Sequence, residues 1–514
     1  MDEAVEIIIT GTKLQNIQTI LSFFISGTNS FFYYIISVLF KKQTLNKNYQ
    51  VYNNETKNDT SDYLSSVKSN NIYLDENILI NNYQMFNEDD IYIFIFLYYF
   101  SKGIISFIFG FLTDKFGRKL ILYYCPLLFI ISSIFLFLSL FNYFFLYISL
   151  ILLGACSYLY IFSSILTCEF LDRNKAGIIS GLNISSGPIF AFIFLVLLKI
   201  FRSLYLIYII IIIFSIIILY YIKQYFNESL YYLISRNKIN DFFNLLENLA
   251  ELNERKNLYE KINQERYITD KNKEFSFTAN IIDVFNYNSQ YQRLISHTLL
   301  WIFSSLSFHG IINLFSFFTP FNNLFLIYII FFSLCAITQI ILGIISDIYG
   351  RRTPLTYSFY ICSLSYLIFI LTEEKIILKK IFFYICIISS SSLFSLFFLF
   401  SSEDFPTCIR GTVLGFLFGI SQIIALILYY INNSLILCLI ISLCNCIGGR
   451  LIESMEDTFE LLLDNTLPEM HKNDNLKKKK YRALKCERIS TGSDLYFLTS
   501  DDEVFNQETL PKYS

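Results

Sequence analysis

Gly110-Phe-Leu-Thr-Asp114-Lys115-Phe-Gly117-Arg118-Lys119 returns 233 residues later as Gly343-Ile-Ile-Ser-Asp347-Ile-Tyr-Gly350-Arg351-Arg352. Each copy closes an apolar stretch long enough to cross a bilayer and opens the next. A second pair keeps almost the same offset: Glu169 with Gly177 recurs as Glu403 with Gly411. Two motifs held at one spacing imply that a unit of about two hundred residues has been duplicated. A looser echo joins Glu228-Ser229 to Glu453-Ser454.

Composition says what the unit is made of. Of 514 residues, 54% are hydrophobic and only 16% charged, with a mean hydropathy of +0.50. A soluble chain of this size needs more polar side chains to cover its surface, so the apolar surplus faces lipid. Net charge is −2, which gives no electrostatic footing for nucleic acid. The 11 cysteines show no ligand-like spacing, so neither a metal site, a cofactor nor a disulfide framework is expected.

Windows of about 20 apolar residues mark helical spans near 17–40, 91–112, 120–141, 144–168, 177–199 and 203–222, then 294–317, 324–345, 354–372, 379–400, 411–431 and 434–451. They lack the two-residue alternation of barrel strands, so the expectation is an all-α membrane protein: twelve transmembrane helices in two pseudo-symmetric six-helix bundles. The domain plan is an N-terminal segment 1–16, a first bundle 17–222 containing a polar loop 41–90, a connector 223–293, a second bundle 294–452 and a polar tail 453–514. No basic region precedes the first apolar stretch, so that span is expected to be retained. Apolar residues at helical spacing over 229–266 suggest surface-lying amphipathic helices in the connector.

Lys115, Arg118, Lys119, Arg173, Lys175, Arg351, Arg352 and Arg410 all fall in loops of one parity, which the positive-inside rule assigns to the cytoplasm together with both termini and the connector. The 41–90 loop then lies outside or in a lumen. Its Asn54-Glu55-Thr56 and Asn58-Asp59-Thr60 triplets match the acceptor pattern for N-glycans, a pattern common by chance.

Gly-x-x-x-Asp-Lys-x-Gly-Arg-Lys resembles the signature loop of the major facilitator superfamily, and its second copy is typical of that family. Glu403-Asp-Phe-Pro406-Thr407-Cys-Ile-Arg410-Gly411 is similar to the Glu-x-x-Pro-Thr-x-x-Arg-Gly pattern of the sugar porter, organic-ion and synaptic-vesicle-glycoprotein branches. Phe226-Asn227-Glu228-Ser229 resembles their Pro-Glu-Ser-Pro-Arg box. The first half departs from the pattern with Asp172 and Ala176 in place of Pro and Arg, and the terminal Pro-Glu-Thr box reads as Ile452-Glu453-Ser454. The resemblance covers about residues 14–460. It implies a latch in which Arg118 pairs with Glu169, and Arg351 or Arg352 with Glu403, in the outward-facing state. Asp114 sits where it can stabilise the positive end of a neighbouring helix. Gly110, Gly117, Lys119, Gly343, Asp347, Gly350 and Arg410 complete the gating set.

Polar groups inside the spans are the substrate candidates. Lys102 precedes Asp114 by 12 residues, about 18 Å along a helix and so near the bilayer centre, where a charge is costly and functional by default. His309 and Asn313 share a face of the seventh span. Asn183, Gln339 and Gln422 are further intramembrane amides. Asn29 stands where related carriers often place a protonatable carboxylate, so facilitated diffusion or exchange is expected rather than obligatory proton symport. Lys102 would favour solutes with negative charge or several hydroxyl acceptors. The functional expectation is a transporter, working as a monomer in the lipid bilayer by alternating access, that moves a small polar solute, a sugar or small organic ion. A solute sensor without net transport is the alternative from another class. A membrane enzyme is weaker, because the chain has only three His residues, His297, His309 and His471, with no metal spacing and no acidic or His cluster expected at a membrane face.

Overall fold

The computed structural model describes residues 88–158, 162, 165, 169, 175–201, 203–225, 227–236, 238–252, 288–317, 324–372, 375–431 and 433–458. Asn29, the first expected span, the glycan triplets and most of the polar tail lie outside the described residues. The helices of the first half are α1 (Glu88–Phe116), α2 (Arg118–Leu138), α3 (Phe144–Cys156), α4 (Ala176–Phe201) and α5 (Leu204–Tyr225). Two short helices follow, α6 (Leu230–Ser235) and α7 (Ile239–Leu252). The second half comprises α8 (Asn288–Phe317), α9 (Leu324–Tyr349), α10 (Arg352–Leu371), α11 (Ile376–Asp404), α12 (Arg410–Ala425) and α13 (Ser434–Glu453). No strand occurs among the described residues.

Ten of these helices are long and apolar enough to cross a membrane, and α3 is a shorter apolar helix. Helices win here because lipid offers the backbone no hydrogen bonds, so every N–H and C=O must pair within its own segment. Pro126 in α2 and Pro188 in α4 are accommodated without ending either helix. The long faces of Ile and Phe that remain exposed, such as Ile108, Phe111, Ile213 and Ile348, are lipid-facing surface.

Two seams join the halves: α1 runs along α12, and α4 along α9. Both depend on missing side chains. A Cβ on Gly110 would lie 2.5 Å from the Gly411 carbonyl oxygen, and one on Gly343 would lie 2.5 Å from that of Gly177. The duplication seen in the sequence is thus reproduced as matched backbone contacts, with small residues setting the approach. The helices extend further than the hydropathy windows: α1 continues through Phe116, so most of the signature motif is helical, and only Gly117 separates α1 from α2.

Gly117 and Gly350 turn the chain with φ of 109° and 83°, a region that side chains other than glycine avoid. In the connector, α6 begins at Ser229, whose side chain accepts from the Tyr232 N–H. Its Leu230, Tyr232 and Leu233 pack with Phe242, Leu246 and Leu249 of α7, an amphipathic pair.

Candidate functional site

The end of the bundle that carries both motifs holds a dense ion network. Arg118 is fully buried. It donates from Nε and Nη2 to Glu169 at 3.1 and 2.9 Å, and from Nη1 to Asp114 at 3.2 Å. Its Nη2 also reaches the Thr407 carbonyl of the other half at 2.9 Å. Arg410, buried as well, donates to the same Glu169 at 2.9 Å.

Asp114 lies in the last turn of α1, where its own helix dipole disfavours a negative charge. The compensation comes from across the seam. Its carboxylate accepts the N–H groups of Gly411 and Thr412 at 3.1 and 2.6 Å and the Thr412 hydroxyl at 2.6 Å, the first turn of α12. Asp347 does the same for α4, accepting from Gly177 and Ile178, both at 2.8 Å. Arg351 donates to Asp347 at 2.6 Å and lies 3.4 Å from Glu403.

These distances sort the sequence-derived latch pairs. Arg118 with Glu169 is a bond within the first half and Arg351 with Glu403 one within the second, so neither alone ties the halves together. Among the hydrogen bonds of the described residues at this end, those that cross include Asp114 and Asp347 to helix N-termini, Arg410 to Glu169, and Arg118 to Thr407. Arg351 rather than Arg352 meets Glu403; Arg352 donates to the Glu453 carbonyl. Lys119 has an exposed side chain.

The expected echo of Glu228-Ser229 also moves. Glu228 accepts the N–H groups of Arg118 and Lys119 at 2.7 and 3.3 Å, capping α2. Burial pushes its carboxyl above the ordinary value, opposed by the N–H groups of Ser229, Arg118 and Lys119. The residue that caps α10 in the same way is Asp457, which accepts from Arg351 and Arg352 at 3.0 and 3.3 Å. Thr458 beside it donates to Glu403 at 2.6 Å. The counterpart is therefore Asp457-Thr458 and not Glu453-Ser454. Glu453 still belongs to α13, and its carboxylate accepts from Tyr360 and Arg450. A match by residue type alone chose the acid one turn too early.

The second cluster lies farther along the α1–α12 seam. Lys102 is 1% exposed, with Nζ 4.9 Å from the ring centre of Phe418, 5.7 Å from that of Tyr99 and 5.9 Å from that of Tyr98. His309 of α8 meets Tyr99 edge-on at 4.9 Å between ring centres. Its Nε2 lies 3.2 Å from the Gln422 amide oxygen, and its Nδ1 lies 3.4 Å from the Tyr429 hydroxyl. Tyr429 donates to Tyr99 at 2.9 Å, Gln422 donates to Ser305 at 3.3 Å, and Asn313 donates to the Leu428 carbonyl at 2.7 Å. That carbonyl belongs to the 3₁₀ turn Leu426–Tyr430 that prolongs α12.

Lys102, His309, Asn313 and Gln422 are thereby brought together. Asn183 and Gln339 are both buried, on α4 and α9, where Gly181 packs against the Gln339 backbone. Tyr99, Phe418 and Tyr429 were missed by sequence reasoning, because in a chain that is 18% aromatic a ring carries no signal of its own. The one available cue was that Tyr98 and Tyr99 lie one turn from the intramembrane lysine.

Residues 19–428 match the sequence profile of the Major Facilitator Superfamily. No curated protein matches the chain by sequence. Among solved structures, the human organic anion transporter MFSD10 superposes with a TM-score of 0.58 at 10% identity, covering 85% of this chain and 99% of that one. The proton:xylose symporter XylE bound to 6-bromo-6-deoxy-D-glucose gives 0.57 at 14% identity, covering 87% and 98%. The partially occluded inward-open form of the xylose transporter XylE from E. coli gives 0.58 at 14%, covering 88% and 100%. At such identities the likeness is one of fold.

Proposed function

We propose that this chain, which belongs to the Major Facilitator Superfamily, transports a small polar solute, a sugar or small organic ion, by rocking its two six-helix halves about the cluster around Lys102 and His309. The observation that carries this reading is the placement of that cluster: its side chains come from both halves and meet in the seam between them, so a bound solute would touch both at once. Alternating access needs such a site and a set of bonds that exists in one orientation only. The cross-seam bonds of Asp114, Asp347, Arg410 and Arg118 have that character. The motif end is taken as cytoplasmic on the loop charges, with residues 17–222 and 294–452 as the moving bodies, the connector and both termini on the same side, and a single chain as the working unit.

The two kinds of neighbour, one named an organic anion transporter and the other a proton:xylose symporter, bracket the solute classes considered. The described spans carry no acid that could alternate between protonated and ionised forms in mid-membrane, which favours facilitated diffusion or exchange over obligatory proton symport. Uptake of labelled solutes into proteoliposomes tests the proposal. Time-dependent accumulation or counterflow supports it; binding without movement of any solute across the bilayer would instead favour a sensor.

A further inference from the structure

The chemistry of the Lys102 cluster discriminates between the two solute classes. A polyhydroxylated solute is recognised by amides that donate and accept at once. Here the amides and the imidazole are engaged with the protein: Gln422 lies against His309 Nε2 through its oxygen and donates to Ser305, His309 Nδ1 lies 3.4 Å from the Tyr429 hydroxyl, and Asn313 donates to the Leu428 carbonyl. What the site adds to these is the Lys102 ammonium and ring surface. Tyr99 has the Lys102 ammonium 5.7 Å from its ring centre and the His309 ring at 4.9 Å, so the two bases, one from each half, flank one ring. Phe418 adds a second face 4.9 Å from the ammonium. The segments that supply these residues, 91–113, 288–346 and 410–452, contain no Asp or Glu at all, so no carboxylate of theirs competes with a bound anion for Lys102.

We infer that the cluster is a binding site for an organic carboxylate, its anionic head received by Lys102 beside His309 and its apolar or planar body laid against Phe418 and Tyr99. The inference rests on the transport reading above and narrows its solute. A carboxylate in low dielectric gains most from a charged donor, and ring faces suit a planar body. Because Lys102 and Tyr99 belong to one half and His309 and Phe418 to the other, such a solute would bridge the moving bodies.

The test uses the full chain purified in detergent, with benzoate, benzamide and xylose as probes. Benzamide keeps the ring and removes the charge; xylose keeps hydroxyls and removes both. Benzoate should raise the thermal transition, as a ligand of the folded state does, and the other two should not. Lys102→Met should weaken benzoate binding at least about tenfold, the loss expected for a hydrogen bond to a charged group. Lys102→Arg should retain most of it, a rescue that a merely structural lysine would not give. Equal stabilisation by benzamide or xylose, no stabilisation by benzoate, or unchanged benzoate binding in Lys102→Met would each overturn the inference. The comparison among probes on the native chain stands even if Lys102→Met does not fold. Labelled benzoate and xylose in proteoliposomes separate the two proposals. Benzoate that binds but never crosses defeats transport and leaves the site; xylose that crosses while benzoate does not bind defeats the site and leaves transport.

Discussion

Asp114→Asn is the sharpest perturbation of the closed motif end, because the carboxylate spends three of its bonds across the seam. It accepts two backbone N–H groups and one hydroxyl from α12 at 2.6–3.1 Å. The amide keeps the shape but has one acceptor oxygen, and its NH₂ would face donors. The loss is then that of one to two hydrogen bonds to a charged acceptor, about 3 kcal/mol. Only bonds present in one conformation bias an equilibrium, and these are broken when α1 and α12 part, so nearly all of that figure acts on opening. It corresponds to about a hundredfold rise in the motif-open population. Ser106→Cys reports it, since Ser106 is buried in the α1–α12 seam and reacts with a membrane-impermeant maleimide only when the seam opens. The background has its other reactive cysteines replaced. The control is Glu228→Gln, whose described partners Arg118, Lys119 and Ser229 all belong to the same half and its connector; its effect should stay below about tenfold. An unchanged labelling rate in Asp114→Asn, or an equal rise in both variants, would refute the reasoning.

Gly343→Val should push α4 and α9 apart, since even the Cβ would stand 2.5 Å from the Gly177 carbonyl oxygen; a lowered thermal transition and faster labelling along that seam are expected. Gly117→Ala and Gly350→Ala each force a side chain into positive φ and toward the capping acid, with Cβ 2.3 Å from Glu228 Oε2 and Asp457 Oδ2. Each should destabilise by about 1–2 kcal/mol from the backbone alone, read as a fall in the unfolding temperature. His297→Leu should cost about 1–2 kcal/mol, because buried His297 lies 2.8 Å from Asp404 and 3.2 Å from Ser401 and its loss removes a hydrogen-bond partner from each; unfolding in detergent measures it. Thr458→Val should loosen Glu403 and leave Glu169 unaffected, which comparison of the double variant with Glu403→Gln would show as non-additive stability.

The architecture was legible because lipid removes most alternatives: a run of about twenty apolar residues has one regular way to satisfy its backbone, and a repeated motif fixes how the runs pair. The gating motif was legible by type but not by partner. Arg118 has Asp114, Glu169 and Glu228 as neighbours in the fold, and nothing in the spacing says which bonds stay within a half and which cross. That distinction arises from packing of α1 on α12, set by Gly110, Gly411 and Gly415 at backbone level. The echo of Glu228 was misplaced because Glu453, Glu456 and Asp457 lie within five residues and only the end point of α13 separates the first from the others. In the mid-seam cluster the charged and amide members stood out against hydrocarbon, whereas Tyr99, Phe418 and Tyr429 are ordinary membrane residues until the fold puts them around Lys102.

The two seams are alike in glycine and unlike in charge. At the motif end of α12 stands Arg410, which crosses to Glu169 at 2.9 Å; the position related to it by the repeat is Ala176, at the start of α4, which packs with Leu399. Glu403 accordingly has Arg351 and the Thr458 hydroxyl as its partners among the hydrogen bonds described, both from its own half. Asp114 and Asp347 each bind a helix N-terminus across a seam, and at the α1–α12 seam Arg410 also reaches across, where the repeat puts an alanine in α4. A pair of halves hinged by matched glycine contacts carries Arg410 on one seam and alanine at the matching position of the other, so removing the Arg410 charge should loosen the α1–α12 seam in a way that has no counterpart at Ala176.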